Sequence, residues 1–330
     1  MRRRSASMGR LLVVLLSLVG WLHVGDAAAQ TGFDCPAPPQ PYGPAEAEAA
    51  MRVAQDRGYL WRIEKDGRVS WLYGTMHVGQ REWIFPGPLT LRAMQSAERI
   101  ALELDLLEPG TQQKMAAAIA IRPNAPPLPA ALALRLKAQA DAACVGKAVT
   151  AMRPEVLAMT LVALSGRSQG LDPAYGIDVM LAGFGRTVGK PVLSLETVEQ
   201  QLNALLTDDP AEVQTLVTET LDSLENDEVQ IVLARLAEAW SESRLDDVAQ
   251  YAEWCECLKT PRERALFAKL VDGRNPGMAQ AVAALHEGGK TVFAAVGALH
   301  MVGPKGLPAL LSERGFKVER VTFAAVRGGA

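Results

Sequence analysis

The sequence predicts an α/β fold, a mixed central sheet with a large helical insertion, and three observations predict it. Apolar, strand-like runs recur along the chain: YLWRIEK and VSWLY within 59–73, IALELDL (100–106), PVLSLE (191–196), TVFAAVG (291–297) and FKVERVTF (316–323). Long Ala/Leu-rich stretches with helical spacing lie between them, at about 110–188 and 197–288, which is the alternation expected of a sheet with helical crossovers. Finally, two of the strand-like runs end in the same phrase, GTMHVG from Gly74 to Gly79 and GALHMVG from Gly297 to Gly303.

In chain order, Arg2, Arg3, Arg4 and Arg10 precede the apolar run LLVVLLSLVGWL and then Ala27-Ala28-Ala29. This reads as a secretory signal peptide over 1–29, cleaved after Ala29. The run is shorter than the roughly 20 apolar residues a membrane span requires, and no later stretch qualifies. The expectation is a periplasmic or secreted protein with no membrane span in its mature part. Residues 30–58 form a Pro/Ala-rich leader, read as extended over its first part. Residues 59–330 form a single domain.

Within that domain Asp66-Gly67 separates two partly alternating apolar runs, a hairpin signal. PLTLRAMQSAERI reads as a helix leading into the third strand. The last segment reads as strand TVFAAV, turn GALHMVG, helix PKGLPALLSERG and strand FKVERVTF. Such a unit predicts a parallel pair with its turn at the carboxyl end of the first strand. GTMHVG follows its own strand in the same way. Both turns are therefore expected at carboxyl ends of strands, where open α/β sheets place ligands.

Loss of residues 1–29 removes four arginines and one aspartate, taking the net charge from −3 to −6. No concentrated basic face is legible, so no nucleic-acid role is expected. Aromatic residues make up 5% of the chain, too few to suggest a sugar-stacking groove, and Trp61, Trp71 and Trp83 read as core. Cys35, Cys144, Cys255 and Cys257 allow three pairings that sequence does not choose between. Cys255-x-Cys257 lacks a nearby Cys/His pair, so a structural disulfide or free thiols suit it better than a metal.

The mature part holds only three histidines, two of them in the matched turns. Glycine lets a chain turn sharply and be approached closely, so His77 and His300 could be presented over one sheet edge and converge. His286, before Glu287 and a Gly pair, reads as a helix-terminal or exposed residue. IALELDL would place Glu103 and Asp105 on one face of a strand. Glu103 with the two histidines makes a set of two imidazoles and one carboxylate, a type found in catalytic zinc sites that leave a position for water. Asp178 (YGIDVML) and Glu196 (LSLET) are further acids beside apolar runs. Arg274 and Asn275 (DGRNPGM) could polarise a carbonyl, although Asn275 before Pro276 is also a helix-start signal. Gly166-Arg167-Ser168-Gln169-Gly170 matches the G-x-S-x-G pattern without the strand-turn-helix context a nucleophile elbow requires. Gly183-Phe184-Gly185 with Gly189 reads as helix termination.

The ordered set LYGTMHVG, ALELD, YGIDVML, GKPVLSLETVEQQ, GRNPGMAQAV and VFAAVGALHMVGPKGLPALLSERGFKV, from about Leu60 to Val321, resembles the TraB/GumN family. The wider relatives of that family include the Tiki proteases and the PrgY pheromone-shutdown proteins. The resemblance implies an EreA/Tiki-like α/β fold, with His77, His300 and Glu103 at the site and Asp178, Glu196, Arg274 and Asn275 as further matching positions. It also implies an exported metal-dependent hydrolase, a peptidase acting on a peptide or other acyl bond of a small exported substrate. His77 and His300 would hold a divalent metal ion (Zn, Mn, Co or Fe). Glu103 would be a third ligand or a base, and Arg274 or Asn275 would stabilise the oxyanion. Two alternatives stay open: a metal-free His/Glu hydrolase, and a non-catalytic accessory or binding protein linked to exopolysaccharide production or peptide signalling. The sequence leaves the oligomeric state open.

Overall fold

Asp66 and Gly67 both take positive φ, 52° and 71°, the geometry of a two-residue hairpin turn whose twist matches its strands. They join β1 (Tyr59–Lys65) to β2 (Arg68–Thr75), with Lys65 opposite Arg68. β2 runs parallel to β5 (Val292–Gly297), β5 to β3 (Arg99–Leu102), and β3 to β4 (Val192–Ser194). β6 (Lys317–Val321) closes the other edge, giving a six-stranded mixed sheet in the order β4-β3-β5-β2-β1-β6. The central strand β5 is buried along its whole length, which is why VFAAVG reads as a continuous apolar run rather than an alternation. The computed structural model describes residues 35–145 and 151–324. The signal-peptide reading lies outside the described residues.

Helices fill the connections. α1 (Pro44–Arg52) precedes the sheet and α2 (Pro88–Ser96) leads from β2 to β3. Between β3 and β4 lie α3 (Pro109–Ile119), α4 (Ala130–Ala142), α5 (Pro154–Leu164) and α6 (Ile177–Thr187). Between β4 and β5 lie α7 (Val198–Leu205), α8 (Pro210–Glu225), α9 (Glu228–Ser241), α10 (Leu245–Ala249), α11 (Tyr251–Trp254), α12 (Pro261–Phe267) and α13 (Asn275–Glu287). α14 (Leu307–Glu313) joins β5 to β6. Many of these helices begin with proline, whose missing N–H and fixed φ suit the first helical position. α5 is buried from Glu155 to Leu164 and packs against α4 and α8, so it forms the centre of the helical insertion. No helix among the described residues is long and apolar enough to cross a membrane.

Two disulfides close the chain. Cys35–Cys144 ties the leader to the end of α4, and Cys255–Cys257 closes the turn after α11.

Four expectations change. The leader is not extended throughout: PAEAEAAMR folds as α1, which buries none of its residues and rests on its Ala/Glu content and N-terminal proline. β3 stops at Leu102, where its ladder with the three-residue β4 runs out. Glu103 and Asp105 therefore lie beyond the strand, and both oxygens of Asp105 accept from Arg186 Nη2 (2.7 and 2.9 Å). β6 shares the direction of β5 but does not pair with it; both sides of β5 are taken by β3 and β2, so β6 adds antiparallel to the free edge of β1. Finally, His286 is neither exposed nor a cap. It is fully buried, with Nδ1 2.8 Å from Ser70 Oγ and Nε2 3.0 Å from Lys65 O.

Candidate functional site

The register of the sheet decides what meets. Thr75, at the end of β2, lies opposite Gly297, at the end of β5, so the two Gly-x-x-His turns leave adjacent parallel strands side by side. β3 and β4 end on the same edge, which brings Glu103 and Glu196 to the same place. Gly176 lets the segment before α6 close over the first turn, because a Cβ there would sit 2.7 Å from His77 O. With Ile177 N–H donating to Met76 O, this closure sets Asp178 in the first turn of α6 beside His77.

His77 Nδ1 is 2.7 Å from Asp178 Oδ2, and the Thr75 hydroxyl donates to Asp178 Oδ1 at 2.8 Å. His300 Nδ1 is 2.6 Å from Asn275 Oδ1, whose amide NH₂ donates to Lys305 O. With both Nδ1 atoms held by oxygen acceptors, each Nε2 lone pair is turned inward. The two Nε2 atoms face the same carboxylate oxygen: Glu103 Oε1 is 3.9 Å from His77 Nε2 and 3.8 Å from His300 Nε2. Oε1 also accepts the Gly297 N–H at 2.8 Å, while Oε2 accepts from Arg274 Nη2 and from Gln201 Nε2. Arg274 bridges to Glu196 through Nε (3.0 Å) and Nη2 (2.5 Å). Its Nη1 donates to Leu270 O and stands 3.4 Å from His300 Nε2.

Burial and charge set the protonation states. Burial would raise Glu103, but Arg274, both imidazoles and the Gly297 N–H hold it well below the usual carboxylate range. Burial pushes His300 down to about 3, keeping it neutral. Burial would lower His77 too, yet Asp178 outweighs it by charge and hydrogen bond and leaves the imidazole above its ordinary value. Burial raises Glu196 against the pull of Arg274.

The structure thus brings together His77, His300, Glu103, Asp178, Glu196, Arg274 and Asn275. It uses both ends of the Asn275 amide on His300 and Lys305, so Asn275 orients an imidazole rather than facing a substrate. Two contributors escape sequence reasoning: Thr75, inside the first motif itself, and Gln201, which sits mid-helix in α7 without any local signal. Gly166 to Gln169 lie in a 3₁₀ turn after α5 (Ser165–Gln169) that Gly170 ends in the left-handed region; Ser168 donates to Ser165 O, with no nucleophile elbow.

A model of the TraB/PrgY/gumN family matches residues 59–320. The chain belongs to the TraB/PrgY/gumN family. No curated protein and no solved structure matches it. In this family member, no group of three or more His, Cys, Asp or Glu donors among the described residues stands at metal-holding distances. The trio His77, His300 and Glu103 nonetheless fits a divalent cation in kind. Two inward Nε2 atoms and one carboxylate oxygen are each fixed by outer partners, which is how metal ligands are ordinarily supported. The Nε2–Oε1 separations of 3.8 and 3.9 Å exceed the about 3.4 Å edge of a tetrahedral site with ligands near 2.1 Å.

Proposed function

We propose that this TraB/PrgY/gumN-family chain is an exported hydrolase that cleaves a peptide or other acyl bond with water in the niche between His77, His300 and Glu103. The observation that supports it is the convergence of two imidazole Nε2 atoms, from adjacent strand ends, on one buried carboxylate oxygen. Export is supported by the N-terminal Arg-then-apolar pattern and by disulfides that persist in oxidising compartments.

Asp178 and Asn275 keep the Nε2 lone pairs available. Glu103, held ionised, supplies negative charge and is a poor proton acceptor, so its role is that of a ligand rather than a base. Arg274 Nη1 offers an N–H toward the niche for an oxygen that gains charge during attack. Where a divalent cation is bound, His77, His300 and Glu103 would hold it, and it would supply Lewis acidity and a water pKa lowered to about 7.

A second reading needs no metal and is favoured by the His77–Asp178 pair. Asp178 raises the basicity of His77, so His77 Nε2 itself takes the proton from water, with Asp178 stabilising the imidazolium.

The test is hydrolysis of a fluorogenic peptide and ester panel by the wild type, His77→Ala and His300→Ala, before and after chelation and refilling with Zn, Mn or Co. Turnover lost in both variants and on chelation supports the first reading; loss in the variants with chelator insensitivity selects the second. Wild-type turnover in either histidine variant contradicts both.

A further inference from the structure

Beside His77 the sheet edge and the helical insertion line a small, partly open cavity of about 30 Å³. One wall belongs to the site itself, through Thr75, His77 and Gly297. The opposite wall is Val162 and Ala163 of α5 with Leu233 and Leu236 of α9, all fully or almost fully buried. The one hydroxyl on the lining, that of Thr75, is committed to Asp178. A water lodged there finds few partners, and apolar cavities of this kind stay dry. At one probe sphere per 10–15 Å³ the space takes roughly two or three non-hydrogen atoms. That is at most the bulk of a valine side chain, with alanine fitting more loosely, and a phenyl ring does not fit without displacing α5 or α9.

We propose that this cavity is a specificity pocket, and that the substrate class is a peptide or acyl compound carrying a small aliphatic group, alanine to valine, next to the bond cleaved at His77. The inference rests on the hydrolase reading for the word cleaved, but the pocket itself is tested by binding. It assigns α5 and α9 a role: they supply the far wall of a site whose two imidazoles and Glu103 come from the sheet edge.

The imidazole signals of the protein, purified without affinity-tag histidines, would be followed by NMR during titration with N-acetyl amides of alanine, valine, leucine and phenylalanine. His77→Gln assigns the His77 signal. Saturable movement of that signal by the alanine and valine amides, roughly tenfold or more tighter than by phenylalanine, is the expected result. The buried His286 signal should stay still. Ala163→Leu fills the cavity and should remove the response. Leu236→Ala widens it and should admit the leucine amide, which keeps the test alive if Ala163→Leu does not fold. Equal responses to all four amides, no response at all, or wild-type selectivity in both variants would overturn the pocket. Selective binding without turnover in the panel above would contradict the hydrolase reading while leaving the pocket standing; turnover with flat selectivity would do the reverse.

Discussion

His77 Nδ1 lies 2.7 Å from one oxygen of Asp178, and the other oxygen of that carboxylate receives the Thr75 hydroxyl at 2.8 Å. Thr75 and His77 leave the same strand end, so one carboxylate delivered by α6 fixes both the tautomer and the tilt of the imidazole. Whichever way water is activated, Nε2 must be deprotonated to act.

Asp178→Asn removes the charge that raises His77, and the imidazole pKa falls. Because activity requires the deprotonated ring, the acidic limb of the kcat/KM profile should move to lower pH. The loss of orientation should reduce the plateau about 10–100-fold. A pH–rate profile of the two proteins checks both changes; an unmoved limb would show that His77 is not the titrating group.

Arg274 pairs with both buried carboxylates of the site, Glu103 and Glu196. Arg274→Met should destabilise the fold by about 3–5 kcal/mol, because two buried charges lose their partner. Adding Glu196→Gln should recover part of that loss, a coupling that urea denaturation of the two variants measures.

Gly297 has φ −51°, which alanine adopts without strain. A Cβ there would nevertheless stand 3.3 Å from both Glu103 Oε1 and His77 Nε2. Gly297→Ala should therefore leave the thermal transition nearly in place while hydrolysis falls about 100-fold, since the added methyl intrudes where the reacting groups meet.

His300, pushed from 6.5 to about 3 by burial, binds a proton in the unfolded chain before it does so in the folded one. Stability should therefore fall as pH drops below about 6.5, by up to about 1.4 kcal/mol per unit. His77 and Glu196, both raised in the fold, act in the opposite sense as pH falls, so the His300 contribution is read as the difference between the wild type and a variant lacking that imidazole. His300→Gln should flatten this slope in urea titrations between about pH 6.5 and pH 5.

The hairpin, the strand ends and the pairing of the two Gly-x-x-His turns are legible in the sequence because each has a local cause: Asp66-Gly67 for the turn, unbroken apolar runs for the buried parallel strands, glycine where the chain bends. The place of β6 is not legible, since it depends on which side of which strand is already taken. Asp105 reads like Glu103 from the period-two pattern, but the ladder ends before either residue and Arg186 claims Asp105. His286 carries no sign of its buried bonds to Ser70 and Lys65. Gln201 reaches Glu103 only because α7 follows β4 at the sheet edge, a relationship that no spacing along the chain encodes.

The most direct test of the central claim, that the two turns form one hydrolytic centre able to hold a divalent cation, is metal content. Elemental mass spectrometry would compare the wild-type protein, purified without chelator or tag histidines, with the folded His77→Ala/His300→Ala double variant. The account predicts about one divalent cation per chain in the wild type and none in the variant. Equal content in the two, or none in the wild type after refilling with zinc, manganese and cobalt, would contradict it.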